Sequence, residues 1–366
     1  MKVDKKYLII LASILVVGFL SGVVGELWVN SFLLPDPYLS FKTYSDLTKK
    51  IDDLVSGQNS RKNLTDQDFV ASAAVQKAKP ATVGIYRVKN FAPNASYGLT
   101  QNDLLGQGSI ITSDGWILTA DTVAKSEKTA LFVVTADHRI FKTEKTIIDQ
   151  PSGSAFLKIS AVDLPVFEFS LKRDLADSQS VYLFAGKGSV VNANIANLNF
   201  SKTESVNEFI RSSEVYYKYI FVSGASNPEF FGGPIVTSAG RMIGFSQDAS
   251  GMILPVDCYV SLMKKVVKGE PWKQPYLGVK FYDYSEILNS TISNAKGALI
   301  LKTRGINADS PAKGILLPDD VILKVESEEI DSNKNLPELL SAYKSGETVK
   351  FLIKRAGKEQ EVNIKL

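Results

Sequence analysis

The sequence predicts an all-β body followed by a small α+β domain, with one membrane-spanning helix ahead of both. Three observations carry this. Residues 7–25 (YLIILASILVVGFLSGVVG) form an uncharged apolar run. Residues 81–256 alternate short β-rich runs with turn signals and hold almost no helical periodicity, the pattern of a barrel or sandwich. From Pro275 the texture changes to strands mixed with short helices. The length of 366 residues agrees with two or three domains.

As a helix the apolar run reaches ~28 Å, about one hydrocarbon core. Lys2, Lys5 and Lys6 precede it, and the next lysine is Lys42. The positive-inside rule therefore keeps residues 1–6 cytoplasmic, makes 7–25 the span, and sends the rest outside. A cleaved signal peptide would carry a shorter apolar region and a small-residue cleavage site, and no A-x-A follows here. Pro35 and Pro37 break the chain beyond the span. Residues 45–57 read as a short amphipathic helix on Leu47, Ile51, Leu54 and Val55, and 57–63 as a polar linker. Thr65 and Asp68 form a capping-box pattern that starts a helix running to about Lys77 and ending at Pro80. Residues 26–64 are thus a juxtamembrane linker.

Strands are predicted at 82–88, 108–112, 116–120, 131–135, 155–159, 181–185, 217–222, 233–237 and 241–246. A helix from about Asp257 to Lys268 presents Val260, Met263, Val266 and Val267 on one face, and 269–274 (GEPWKQ) is the boundary. Beyond it, strands are predicted at 276–281, 298–303, 321–325, 349–354 and 361–366, with a helical turn at 310–313. Leu336, Leu339, Leu340 and Tyr343 give a helix its i, i+3, i+4, i+7 stripe. The domains are therefore 65–270 and 271–366.

Composition removes several function classes. Forty-two Lys+Arg against 39 Asp+Glu leave a net charge of +3, too small and too evenly spread for a nucleic-acid binder. One cysteine, Cys258, excludes a disulfide framework, and one histidine, His138, excludes a multi-histidine metal site. No cofactor or metal is expected. Asp319–Asp320 and Glu328–Glu329 are read as solvated turns.

Two sequence blocks carry a family resemblance. Residues 106–124 (GQGSIITSDGWILTADTVA) resemble GSGVII-x-x-DGYILTNNHVV, and residues 227–244 (NPEFFGGPIVTSAGRMIG) resemble NPGNSGGPLVNxxGxVIG. Both patterns belong to the HtrA/Deg family of PDZ-containing, trypsin-like serine proteases. GMILPVD at 251–257, PYLGV at 275–279 and SPAKGILLPDDV at 310–321 continue the likeness in order, with Asp319 where the family has Gly. The resemblance covers about residues 66–366. It implies a trypsin-like double β-barrel followed by a PDZ domain, and a trimer built through the barrels.

A serine protease site needs a hydroxyl nucleophile, an imidazole base and a carboxylate to orient that base. In the resemblance the histidine position falls on Thr122, the aspartate on Gly153 and the serine on Phe231. Glu229 replaces the glycine that starts the oxyanion turn. His138, in TADHRIF, occupies a turn on another element and does not replace the base. Ser226 and Ser246 flank the degenerate loop, but no sequence feature places a lysine beside either. The expectation is a pseudoprotease with no catalytic residues. Gly232, Gly233 and Pro234 persist because they shape a turn.

PDZ domains bind a peptide C-terminus as an added strand, with its carboxylate held by backbone N–H groups of a Φ-G-Φ loop. Tyr276, Leu277, Gly278 and Val279 match that loop. Leu336, Leu339, Leu340 and Tyr343 would line the helix wall of a groove beside an open sheet edge. The expected partners are protein C-termini or unfolded polypeptides, outside the cytoplasm of a bacterial cell, in protein quality control. An active endopeptidase and a regulatory subunit of active HtrA assemblies stand as the alternatives.

Overall fold

The computed structural model describes residues 5–28, 65–87, 99–125, 130–203, 206–270, 273–287 and 296–366. The chain divides into Met1–Leu64 and Thr65–Leu366. In the first unit, helix α1 (Lys5–Trp28) takes in the whole apolar run. Its described side chains are 6, 13–22 and 24. Counting only what is described, no helix is long and apolar enough to cross a membrane. The helix expected at 45–57 and the linker at 57–63 lie outside the described residues.

The second unit opens with α2 (Asp66–Ala78), started by a capping box. The Thr65 N–H donates to Asp68 Oδ2 at 2.8 Å, and the Asp68 N–H returns to Thr65 Oγ1 at 3.3 Å. Each side chain satisfies an amide that the helix cannot. Strands β1 (Thr82–Arg87), β2 (Leu104–Ile110), β3 (Trp116–Ala120), β4 (Leu131–Val134), β5 (Ile140–Asp149) and β6 (Ser154–Ile159) close into a barrel, ordered β1-β2-β3-β6-β5-β4. Val83, Ile85, Ile110, Ile117, Leu118, Phe156 and Leu157 are fully buried in one hydrophobic cluster, and because neighbours in a strand point to opposite faces, β3 and β6 are covered on both sides. A four-residue helix, α3 (Asp121–Ala124), follows β3 directly.

The next strands are β7 (Ser180–Phe184), β8 (Val190–Phe200), β9 (Ile210–Ser212), β10 (Tyr219–Val222), β11 (Pro234–Thr237), β12 (Met242–Phe245) and β13 (Met252–Ile253). All but β9 form a second six-stranded sheet, ordered β12-β11-β7-β8-β10-β13. The helix expected near 257–268 is a 3₁₀ turn, Val256–Tyr259, continued by α4 (Val260–Val267).

The C-terminal elements are β14 (Lys280–Asp283), β15 (Ala298–Ile300), β16 (Val321–Val325), β17 (Glu328–Glu329), α5 (Leu336–Leu340), β18 (Thr348–Arg355) and β19 (Lys358–Lys365). Six strands run in the order β19-β18-β16-β15-β14-β9, and β17 pairs with β16. The edge strand β9 thus leaves the second sheet between β8 and β10 and pairs antiparallel with β14. The edge expected to be open is therefore covered by the chain itself.

Strands β5, β8 and β9 were not anticipated, nor was β17, where Glu328–Glu329, read as a solvated turn, pairs with β16. In β8, Asn192, Asn194, Asn197 and Asn199 weaken the strand pattern. Even so, Ala193 and Ile195 point inward and are buried. Strand β5 carries Lys142, Glu144 and Lys145 and is mostly exposed, so its signal is its ladder to β6 rather than its composition. The strand expected at 276–281 begins only at Lys280, because Gly278 at φ 70° turns the chain out of extended geometry.

Candidate functional site

Two loop clusters concentrate the residues singled out by sequence. The first surrounds positions 122, 153 and 231. Thr122 lies exposed on α3, and its hydroxyl donates to the Gln247 carbonyl at 3.4 Å. Gly153 lies in the turn between β5 and β6 at φ 61°, and its carbonyl accepts the Asp121 N–H at 2.9 Å. The Gln247 side chain crosses this space. Its Nε2 donates to the Ser152 carbonyl and to the Tyr259 hydroxyl at 3.0 Å. A Cβ placed on residue 153 would stand 2.9 Å from that Nε2. Gln247 therefore ties 122 to 153 and fills the volume that a side chain at 153 would need. Sequence reasoning missed it; its signal is a polar residue just after β12, where the chain leaves the sheet.

Phe231 closes the other side. Its half-buried ring packs on the barrel core, and its carbonyl accepts the Gln107 N–H at 2.9 Å. Gly106 lies so close that a Cβ there would meet both the Phe231 carbonyl and Val123 at 2.6 Å. Through Gly106, position 231 reaches the residue after Thr122. Residues Pro228–Phe230 form a 3₁₀ turn. The Glu229 N–H donates to Asn227 Oδ1 at 3.0 Å and the Phe231 N–H to the Pro228 carbonyl at 3.1 Å. Both amides are engaged within the loop. Gly232, at φ 72°, has Gln107 O only 2.1 Å from where its Cβ would be, which explains its presence without chemistry.

Two further polar groups of this region are also engaged. Asp149 is buried and accepts the Ser152 N–H at 3.1 Å and its hydroxyl at 2.5 Å. Ser246 donates to the Asp248 carbonyl at 3.1 Å. His138 is exposed in the β4–β5 turn at φ 64°.

The second cluster is the loop 276–279. Its amides meet the segment that carries β9. The Leu277 and Gly278 N–H groups donate to one oxygen of the Glu214 carboxylate, at 3.2 and 2.8 Å. The Val279 N–H donates to Ser213 Oγ at 2.9 Å, and the Ser213 N–H donates back to the Val279 carbonyl at 3.0 Å. The register continues as Ser212 opposite Lys280, Arg211 opposite Phe281 and Ile210 opposite Tyr282. Gly278 has no room for a side chain: a Cβ would meet Ser310 Cβ and Tyr276 Cζ at 2.9 Å. Tyr276 is fixed by its hydroxyl, which donates to Asp309 Oδ1 at 2.8 Å.

On the helix, Leu336 and Leu340 are buried in the core of this domain, while Leu339 and Tyr343 are half-buried against it. The capping box of Asn335 and Glu338 starts α5. Burial pushes the Glu338 carboxyl up, opposed by the charge of Lys172 at 3.5 Å.

Buried charge secures the crossing between the two domains. Lys218 Nζ and Asp283 Oδ2 stand 3.0 Å apart with side chains 3% and 0% exposed. The Tyr217 hydroxyl donates to the same carboxylate oxygen at 2.7 Å. Arg211 donates to Glu286 Oε2 at 2.8 Å, to Ser201 at 2.6 Å and to Thr203 at 2.9 Å. Its guanidinium lies 4.6 Å from the Tyr217 ring centroid.

The trypsin-like peptidase domain matches residues 106–245, and the PDZ domain matches residues 275–366. The chain thus joins, in order, the two domains of the HtrA-type proteases it is similar to. Among its HtrA/Deg relatives, one from Pseudomonas fluorescens is 26% identical over 98% of this chain and 75% of its own length. Another, from Halomonas elongata, is 28% identical over 74% of this chain and 58% of its own. Both carry the name "Probable periplasmic serine endoprotease DegP-like". Further relatives of that name are spanned over little more than half their length, 55–56%. Among solved structures, the HtrA-type protease AlgW with a tripeptide is similar at a TM-score of 0.59 and 21% identity, over 80% of this chain and 95% of that one. AlgW with a decapeptide gives a TM-score of 0.55 at 20% identity, over 80% and 97%. These two share the fold: trypsin-like β-barrels followed by a PDZ domain.

Proposed function

We propose that the chain is a membrane-anchored, extracytoplasmic HtrA-like pseudoprotease whose PDZ domain takes protein C-termini. The observation that carries the reading is the identity of the three residues at the triad positions. Thr122, Gly153 and Phe231 supply no imidazole, no carboxylate and no nucleophilic hydroxyl. Acyl transfer needs all three roles, together with donors aimed at a developing oxyanion. Gln247 crossing the site and the internally bonded amides of 229 and 231 support the same conclusion.

The anchor rests on the apolar run of α1, where Ile14, Leu15, Val16, Val17, Phe19, Leu20 and Val24 are all exposed, as lipid-facing side chains are. Its orientation rests on the three lysines before the run, and the periplasmic names of the relatives point the same way. A protease added to spheroplasts is expected to digest the domains after residue 65; full protection until lysis would reverse the orientation.

The relatives are named as endoproteases, so an active endopeptidase is the reading to exclude. A serine-directed fluorophosphonate separates the two. The pseudoprotease leaves it unreacted, whereas stoichiometric labelling of any serine would establish an active enzyme.

A further inference from the structure

The PDZ domain meets an internal ligand. Strand β9 occupies the edge of β14, where a peptide would add, and runs in the antiparallel sense that brings its C-terminal end to the 276–279 loop. Glu214 then places a side-chain carboxylate on the Leu277 and Gly278 amides, the groups that would hold a terminal carboxylate. Ser212 and Ser213 orient that carboxylate, donating to Oε2 at 2.9 Å and Oε1 at 2.6 Å. Ser213 therefore stands at the position of a ligand's last residue, and Arg211, two residues earlier, at the third position from the end. Arg211 is paired through Glu286, whose side chain is 11% exposed. Glu286 Oε1 is buried and has no hydrogen-bond partner among the described residues. A ligand with an uncharged residue at that position would strand this carboxylate without a counter-charge.

We propose that residues 210–214 are a displaceable internal ligand of the PDZ domain, and that the external ligand able to replace them is a protein C-terminus with a basic residue third from its end. This rests on the reading above that the domain takes C-termini. External ligand and β9 compete for one set of amides, so the apparent affinity of the intact chain is reduced by the fraction of time the loop is free. The charged contacts of Lys218, Tyr217 and Asp283 lie beyond the segment to be replaced and hold the domains together while it is displaced.

The test uses the full chain in detergent micelles and the octapeptide of residues 206–213, VNEFIRSS, as a free acid. Glu214→Ala is expected to bind it at least about tenfold more tightly than the unaltered chain. Replacing the peptide's arginine by alanine, or amidating its terminus, is expected to weaken binding about tenfold, because each removes a charge-assisted contact. Amide exchange at 277 and 278 should quicken in Glu214→Ala while exchange in the barrel core is unchanged, which shows that the variant is folded. Equal affinity of the variant and the unaltered chain overturns the internal ligand but leaves the C-terminus reading standing. No binding by the variant, with exchange at 277 and 278 quickened, shows an open loop that accepts no such terminus and overturns both. Equal binding of the arginine and alanine peptides overturns the basic preference.

Discussion

At the scale of single residues, the HtrA-like centre is defined by what fills it. Phe231 puts a ring against the barrel core, and Gln247 Nε2 stands 2.9 Å from where a Cβ at 153 would lie. Phe231→Ser alone is therefore expected to remain unlabelled by a fluorophosphonate, since a serine without an adjacent base is a poor nucleophile. Adding Thr122→His and Gly153→Asp should not restore labelling while Gln247 remains, because the new carboxylate must displace it. Labelling of the triple variant at position 231 would show that the site is intact apart from its identities. The assignment of the triad positions to 122, 153 and 231 rests on the order of the flanking sequence blocks. Gln247 was not readable, because no local pattern states which gap a polar side chain will cross. Gly278 is the complementary case: its φ of 70° and its contacts leave no space for a side chain. Gly278→Val is expected to cost about 1–3 kcal/mol, read as a lower denaturation midpoint, and to disturb the 276–279 amides.

At the scale of elements, strands with hydrophobic alternation were visible and those defined by partners were not. Strand β3, at Trp116–Ala120, is buried on every residue and falls where its apolar run predicts. Helix α2 was marked by Thr65 and Asp68, and Thr65→Ala should cost about 1 kcal/mol in chemical denaturation by removing the cap. Strand β9 has only three residues, and it pairs with a strand 70 positions away through Arg211 and Phe281. Nothing within its own sequence names that partner, which is why the covered PDZ edge emerged only from the structure. The link between domains depends on Asp283, which is fully buried and faces both Lys218 and Tyr217. Asp283→Ala would leave the Lys218 ammonium buried without its counter-ion. A loss of about 3–5 kcal/mol is expected in denaturant unfolding, against little change for an exposed pair such as Lys296–Glu329.

At the scale of the whole molecule, a barrel pair and a PDZ domain share strand β9, the ion pairs Lys218–Asp283 and Arg211–Glu286, and the contact of Lys172 with Glu338 and the Asn333 carbonyl. Burial of Glu338 at this contact, which outweighs the attraction of Lys172, makes stability depend on pH in a stated direction. Burial raises the Glu338 carboxyl above its ordinary value of 4.5, so the folded chain holds that proton more tightly than the unfolded chain. Its contribution is full below about 4.5 and declines as pH rises through the raised folded value. Glu338→Gln keeps an acceptor for the Asn335 N–H and should remove that decline from a plot of unfolding free energy against pH; an unchanged slope would assign it to another group. The central claim, that the family fold is retained and its reaction abandoned, is tested most directly by incubating the purified chain with unfolded casein and analysing the released peptides by mass spectrometry. The account predicts no peptide release above buffer at any protein concentration. Release that scales with protein and disappears in Ser226→Ala or Ser246→Ala would contradict it.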